Sequence, residues 1–230
     1  MKSRTLGAIG VVVFAAIPVA AYDHPLGSHA IREAYFIGAG NYVEGLAGYT
    51  KSLPVPKTGP HVAEMEVRTP FAQVVLMSSE HSVGYSAQQA AQDYRKNPDI
   101  LHVRVEILST ATFSFISPLP MLPTLAGGTS PGLGDARWPE LRQGACGGIF
   151  LRVLPVKQCF RDFRFQFSQA KEIKPKSSYG LSINSGYDTI GGDVWFLFST
   201  NDIASAPFRV TVYTPDGQEV SAEFDLAALR

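Results

Sequence analysis

From Ile100 to Leu108 the chain alternates without exception: Leu101, Val103, Val105 and Ile107 on one side, His102, Arg104 and Glu106 on the other. A helix would spread those apolar side chains around its circumference, whereas a strand gathers them on one face. The stretch therefore sets the first requirement of the fold, a sheet with one face in a core and the other polar.

The residues before it extend the same unit. His61 to Arg68 alternates too, with Ala63, Met65 and Val67 against Glu64, Glu66 and Arg68. Thr69-Pro70 interrupts the pattern, because proline lacks a ladder donor and restricts the residue before it; Ala72 to Met77 then reads as a new strand or a bent continuation. Ser86 to Lys96 carries helix signals, with Ser86 as N-cap, Gln89 closing a capping box and Asn97-Pro98 as the stop. Its face of Ala87, Ala90, Ala91 and Tyr94 is small enough to lie close to a sheet. Residues 59–116 are thus expected to form a ββαβ unit. Glu64, Glu66, Arg104 and Glu106 face outward, where opposite charges pair across strands at about 0.2–1 kcal/mol each.

Residues 1–21 read as a signal peptide. Lys2 and Arg4 precede an apolar run from Ala8 to Ile17, Pro18 breaks it, and Val19-Ala20-Ala21 supplies the small residues of a cleavage site. The run is shorter than the roughly 20 apolar residues of a membrane-spanning helix, and no other segment approaches that length, so no transmembrane segment is expected after cleavage. Cleavage removes two of the 20 basic side chains and none of the 20 acidic ones, leaving a net charge near minus two. That balance argues against nucleic acid as a partner. Two cysteines in an oxidising compartment do not make a disulfide-built scaffold.

Residues 22–58 are read as an N-terminal helical segment. Ile31, Ala34, Tyr35, Gly38, Tyr42, Leu46 and Tyr49 share one helical stripe, but Gly38, Gly40, Gly45 and Gly48 would each cost roughly 1 kcal/mol inside one continuous helix. Two short helices are the better reading, the first capped by Ser28 and ended near Gly38, the second capped by Asn41 with Glu44 in the capping-box place. Ala34-Tyr35, Tyr42, Leu46, Tyr49 and Pro54 together resemble one tetratricopeptide unit. No second copy follows, and one such unit cannot bury its own apolar face, so the helix pair is expected to pack on the β domain. Leu53 to Pro60, with three prolines, is the stiff connector.

Residues 117–145 form a Pro/Gly-rich loop, from Ser117-Pro-Leu-Pro-Met-Leu-Pro to the glycines between Gly127 and Gly134. Leu119, Met121, Leu122, Leu125 and Trp138 lie there with no strong periodicity, and are the candidate partner-binding residues. Cys146 and Cys159 bracket Ile149 to Val156, which reads as a strand; a disulfide between them would add about 3 kcal/mol in the chain-entropy model. The remainder of 146–230 is read as strands: Phe163, Phe165 and Phe167 alternate, Val194 to Phe198 is apolar enough for burial on both faces, and Phe208 to Tyr213 and Glu219 to Leu226 flank the hairpin turn Thr214-Pro-Asp-Gly217. The expected fold class is α+β, a mostly antiparallel β-sandwich with two short N-terminal helices and one inserted helix. Its likeness to immunoglobulin-type domains is one of architecture only, since no tryptophan lies between paired cysteines at that family's spacing.

Chemistry-bearing motifs fall short. Gly84-Tyr-Ser86-Ala-Gln88 begins like a nucleophile elbow but ends in glutamine where glycine is required, and Ser86 already has a capping role. His24, His29, His61, His81 and His102 lack recognised metal spacing, and His61 meets His102 only in one register. Glu80-His81-Ser82 are sequence neighbours, and triad members converge through the fold instead. No catalytic residue, metal site or cofactor is assigned. The expectation is an exported, non-catalytic binding or structural module of the periplasm or envelope, with a protein partner at residues 117–138. The alternatives are a small secreted hydrolase using Ser86 or a histidine cluster, or a binder of a metal or small ligand.

Overall fold

The computed structural model describes residues 24–40, 42, 46, 48–81, 84–96, 99–115, 160–185 and 188–229. In chain order its elements are helix α1 (Ser28–Ala39), strands β1 (Thr50–Ser52) and β2 (His61–Arg68), helices α2 (Pro70–Glu80) and α3 (Ala87–Lys96), and strand β3 (Ile100–Leu108). Six further strands follow: β4 (Arg164–Ser168), β5 (Glu172–Ile173), β6 (Ser177–Ser185), β7 (Asp188–Ser199), β8 (Pro207–Tyr213) and β9 (Glu219–Asp225). The fold is mixed α+β, with the strands in two antiparallel sheets, one ordered β1-β2-β3-β7-β6 and the other β5-β4-β8-β9.

The alternating stretch that opens the sequence is the middle strand of the larger sheet. Met65 lies opposite Val105 on β2 and β3, and Val105 opposite Val194 on β7, so one apolar row crosses three strands. Those inward residues share a core with Phe167 of β4, Phe208, Val210 and Val212 of β8, and Phe224 of β9. Phe167 joins the two sheets, its ring centroid 4.7 Å from Phe196 and 5.0 Å from Phe198. At one margin of this core Phe113, Phe115, Phe160 and Phe163 pack edge to face, with Phe115 and Phe160 5.7 Å apart. The turn Thr214–Gly217 closes β8 onto β9 as its residues require, with Gly217 at φ 86°.

The three helices bury their apolar faces mainly on one another. Ile31 and Ala34 of α1, Phe71, Val74 and Val75 of α2, and Ala90 of α3 form a second core with Leu26. The expectation that the N-terminal helices and the Ala90 face cover a sheet is therefore corrected: α1 packs against α2 and α3. Gln73 Nε2 ties this layer to the sheet by donating to Arg68 O at 3.1 Å and Ile100 O at 2.7 Å.

The larger correction is α2, which occupies the stretch read as a strand from Ala72 to Met77. Thr69 Oγ1 accepts from Ala72 N at 3.2 Å as N-cap, and Pro70 takes the first helical position, where its missing N–H removes nothing. The proline ends β2 and starts a helix in one step. At α1 the cap is Gly27 and not Ser28. The second helix expected from Asn41 falls largely outside the described residues, as do Cys146, Cys159 and the strand expected at Ile149 to Val156. Of the outward residues of β7, Leu197 is partly exposed and Trp195 is buried, with Arg68 and Tyr179 of its own sheet against its ring.

Gly38 has a packing role that its helix propensity hides. A Cβ there would run into the Val75 carbonyl oxygen and lie 2.8 Å from Ser78 Cβ, so α1 and α2 touch through backbone. Gly38→Ala is expected to destabilise the chain by about 1–3 kcal/mol, outweighing the roughly 1 kcal/mol that alanine gains in helix propensity. Thermal denaturation followed by circular dichroism tests this, and an unchanged or raised melting temperature would refute the close approach.

Candidate functional site

The polar face of the five-stranded sheet gathers the densest set of ionisable and aromatic side chains among the described residues. Strand alternation sends Glu64, Glu66 and Arg68 of β2 outward, with His102, Arg104 and Glu106 of β3, Asp193 and Trp195 of β7, and Tyr179 of β6. The register places Glu66 opposite Arg104, Arg104 opposite Trp195, and Trp195 opposite Tyr179. A single row of side chains thus crosses four strands.

Arg104 is its hub. Nη2 lies 2.7 Å from Glu64 Oε1 and 2.7 Å from Glu106 Oε2, Nη1 lies 3.4 Å from Glu66 Oε2, and Nε lies 3.3 Å from Asp193 Oδ1. Arg68 grips Glu66 with both ends of its fork, Nε to Oε1 at 2.6 Å and Nη2 to Oε2 at 3.0 Å. Its guanidinium carbon sits 4.6 Å from the centre of the Trp195 ring, a cation–π contact. Tyr179 lies nearly parallel to that tryptophan with centroids 6.2 Å apart, and His102 meets it edge-on at 6.2 Å. Four carboxylates against two guanidiniums leave the face net negative. The Trp195 indole N–H is buried without a hydrogen-bond partner among the described residues.

Burial weighs on these charges. It raises the carboxyl pKa of Glu64 above its ordinary value, with Arg104 pulling the other way and Glu106, Glu66 and Asp193 adding to the rise. Asp193 is raised in the same manner, by burial against the pull of Arg104. His102 is lowered, first by burial and then by the nearby Arg68 charge. A proton on His102 therefore goes to the unfolded chain first. As pH falls below about 6.5, His102 is expected to subtract stability until its lowered folded pKa is reached, and nothing further below it. Melting temperatures of His102→Gln and the parent chain between pH 8 and 5 test this. The variant should lose less on acidification over that window, and parallel profiles would refute the assignment.

The residues singled out for chemistry in the sequence lie elsewhere and apart. Ser86 Oγ accepts from Gln89 N at 3.2 Å and Gln89 Oε1 accepts from Ser86 N at 3.2 Å, the expected capping box. His81 Nδ1 lies 2.7 Å from Met77 O, so that nitrogen carries the proton and donates, while the ring stacks on Tyr85 at 4.4 Å. Ser82 lies outside the described residues. His61 pairs with Leu108 and His102 with Arg68, at opposite ends of the β2–β3 ladder, so those two histidines do not meet. His61 Nε2 is 3.1 Å from Leu53 O instead. Leu119, Met121, Leu122, Leu125 and Trp138 fall outside the described residues.

Glu64, Glu66, Arg104 and Glu106 come together as their alternation implied. Asp193, Trp195 and Tyr179 were not legible as members, because only the pairing of β3 with β7 and of β7 with β6 brings them in. The arrangement can hold charge, shift protons among carboxyls and offer a polar, aromatic surface. Among the described residues no group of three or more His, Cys, Asp or Glu is placed to hold a metal ion, and no helix is long and apolar enough to cross a membrane. No protein-family model, no curated protein and no solved structure matches this chain.

Proposed function

We propose that this protein is an exported, non-catalytic binding or structural module of the bacterial periplasm or envelope, with its two sheets packed as a β-sandwich. One observation carries the preference over a hydrolase: Ser86, His81 and His61, three of the groups that suggested catalysis, have structural engagements. Ser86 caps α3, His81 donates to the end of α2, and His61 bonds the connector that precedes β2. The segment 117–138, with Leu119, Met121, Leu122, Leu125 and Trp138, is the proposed contact surface. Phe115 and Phe160, on either side of it, meet at 5.7 Å within the aromatic margin of the core.

Affinity capture from a native envelope extract with residues 22–230, beside a variant carrying Leu119→Ser, Met121→Ser and Leu122→Ser, tests this. A stoichiometric partner lost in the variant, at unchanged melting temperature, is the expected result. Capture that survives the substitutions removes the segment as the site. Ser86→Ala should cost only its cap, about 1 kcal/mol. An ester, peptide or glycoside activity that vanished with that substitution would replace this reading with the hydrolase. A melting temperature raised by a metal or small molecule would replace it with a ligand binder.

A further inference from the structure

His102 and Arg68 stand directly opposite each other on β3 and β2, and both side chains lie on the polar face of the larger sheet. The Arg68 guanidinium carbon is 4.6 Å from the centre of the Trp195 ring, and the His102 ring meets the same indole edge-on at 6.2 Å. One tryptophan thus carries a permanent cation on its face and a titratable ring at its edge.

Of these groups, the Arg68 side chain has the most room to respond to a new charge. His102 is partly buried, and its strand is paired on both sides, with Arg68 and with Leu197. The Arg68 backbone is pinned as well, since its carbonyl accepts from Gln73 Nε2 at 3.1 Å. Its side chain, long and 27% exposed, already reaches solvent and has a short path out.

The surrounding charges favour an exchange of partners. From β2, His102 faces Arg68, with Glu66 as its diagonal neighbour, roughly 7–8 Å off and within reach of long side chains. From β7 it faces Leu197 and Trp195, neither of them charged, while Asp193 lies further along at Arg104. Tyr179 of β6 lies against Trp195, and Arg104, two residues along β3, is engaged by Glu64 and Glu106. Both Glu66 oxygens are taken by the Arg68 fork. A protonated His102 therefore meets a guanidinium first, and gains a carboxylate only when that guanidinium withdraws. Burial and the Arg68 charge both lower the His102 pKa, so the ring is neutral at pH 7 and Arg68 stays in place there.

We propose that His102 is the trigger of a pH-sensitive latch. When its second ring nitrogen takes a proton, Arg68 leaves the Trp195 face for solvent, Glu66 turns to the imidazolium, and the indole is uncovered. The proposal is independent of the partner surface argued above.

Proton NMR of residues 22–230 from about pH 8 to pH 4 tests it. Protons of the Arg68 side chain beside the indole face carry a ring-current shift, which reports where that side chain stands. In the parent this shift should be lost with the same midpoint as the His102 Hε1 resonance, below about pH 6.5. In His102→Gln it should persist through that midpoint, and in Arg68→Met the His102 midpoint should rise, because the like charge is gone. Three results overturn the latch: a shift lost equally in His102→Gln, which would assign the release to the carboxylates; a shift that persists after His102 has titrated; and an imidazole that stays neutral until the chain unfolds. The last two are read in the parent chain, whatever the variants do.

Discussion

Arg104→Met is expected to destabilise the chain by about 3 kcal/mol at pH 7, and by clearly less at pH 5. The substitution keeps the length of the aliphatic stem but leaves four half-buried carboxylates, Glu64, Glu66, Glu106 and Asp193, facing one another across three strands without the charge at 2.7–3.4 Å that holds them. Glu64 and Asp193 already have raised pKa values, and Arg104 is what limits the rise. Without it both values climb further, so the folded variant takes up protons at higher pH than the unfolded chain does. Stability lost at neutral pH is therefore regained as pH falls through the raised values. Arg104→Lys should recover only part of the loss, since the guanidinium bonds Glu64 and Glu106 through Nη2 while standing within 3.4 Å of Glu66 and Asp193, and a compact ammonium cannot keep all four carboxylates at that distance. Urea denaturation at pH 7 and pH 5 measures all three chains. A loss below about 1 kcal/mol at pH 7 would place the network with ordinary surface ion pairs, and a loss independent of pH would deny that repulsion among the carboxylates is its cause.

This network also shows how far the sequence carries. Period-2 alternation in His61 to Arg68 and in Ile100 to Leu108 was enough to face Glu64, Glu66, Arg104 and Glu106 outward, because faces are a local property of a strand. Asp193 and Trp195 needed the pairing of β3 with β7 across some 90 residues of chain, and no local pattern encodes which strand becomes a neighbour. The capping box at Ser86 and the turn at Thr214–Gly217 were legible for the same reason as the faces, since each is closed within a few residues. Helix α2 was misread because Thr69-Pro70 carries two meanings. Proline ends a strand, and after a threonine it also begins a helix; the tertiary demand for Phe71, Ala72, Val74, Val75 and Ser78 to face α1 and the sheet decided between them. Val74 and Val75 favour strand by intrinsic preference, and burial against Ile31 and Ala34 overrides it.

Phe167→Ala is expected to remove about 3–5 kcal/mol and to do so for both sheets together. The ring is 2% exposed and touches both sides of the core: Phe196 and Phe198 on β7 at 4.7 and 5.0 Å, and Phe208 on β8 at 6.3 Å. Truncation leaves a cavity between two hydrogen-bonded sheets, neither of which can close in without breaking its own ladder. Phe165, two residues earlier on the same strand, stacks on Phe163 and lies 4.9 Å from Phe196, but it is only partly buried, so Phe165→Ala should lose less than half as much. In a Trp138→Phe background, tryptophan fluorescence reports on Trp195 of the larger sheet alone, whereas far-ultraviolet circular dichroism reports on the secondary structure of the whole chain. Coincident transitions shifted equally by Phe167→Ala would establish one cooperative unit across the two sheets. If the fluorescence transition stayed in place while the dichroism shifted, the sheets would unfold separately, and the sandwich packing proposed for this module would be wrong.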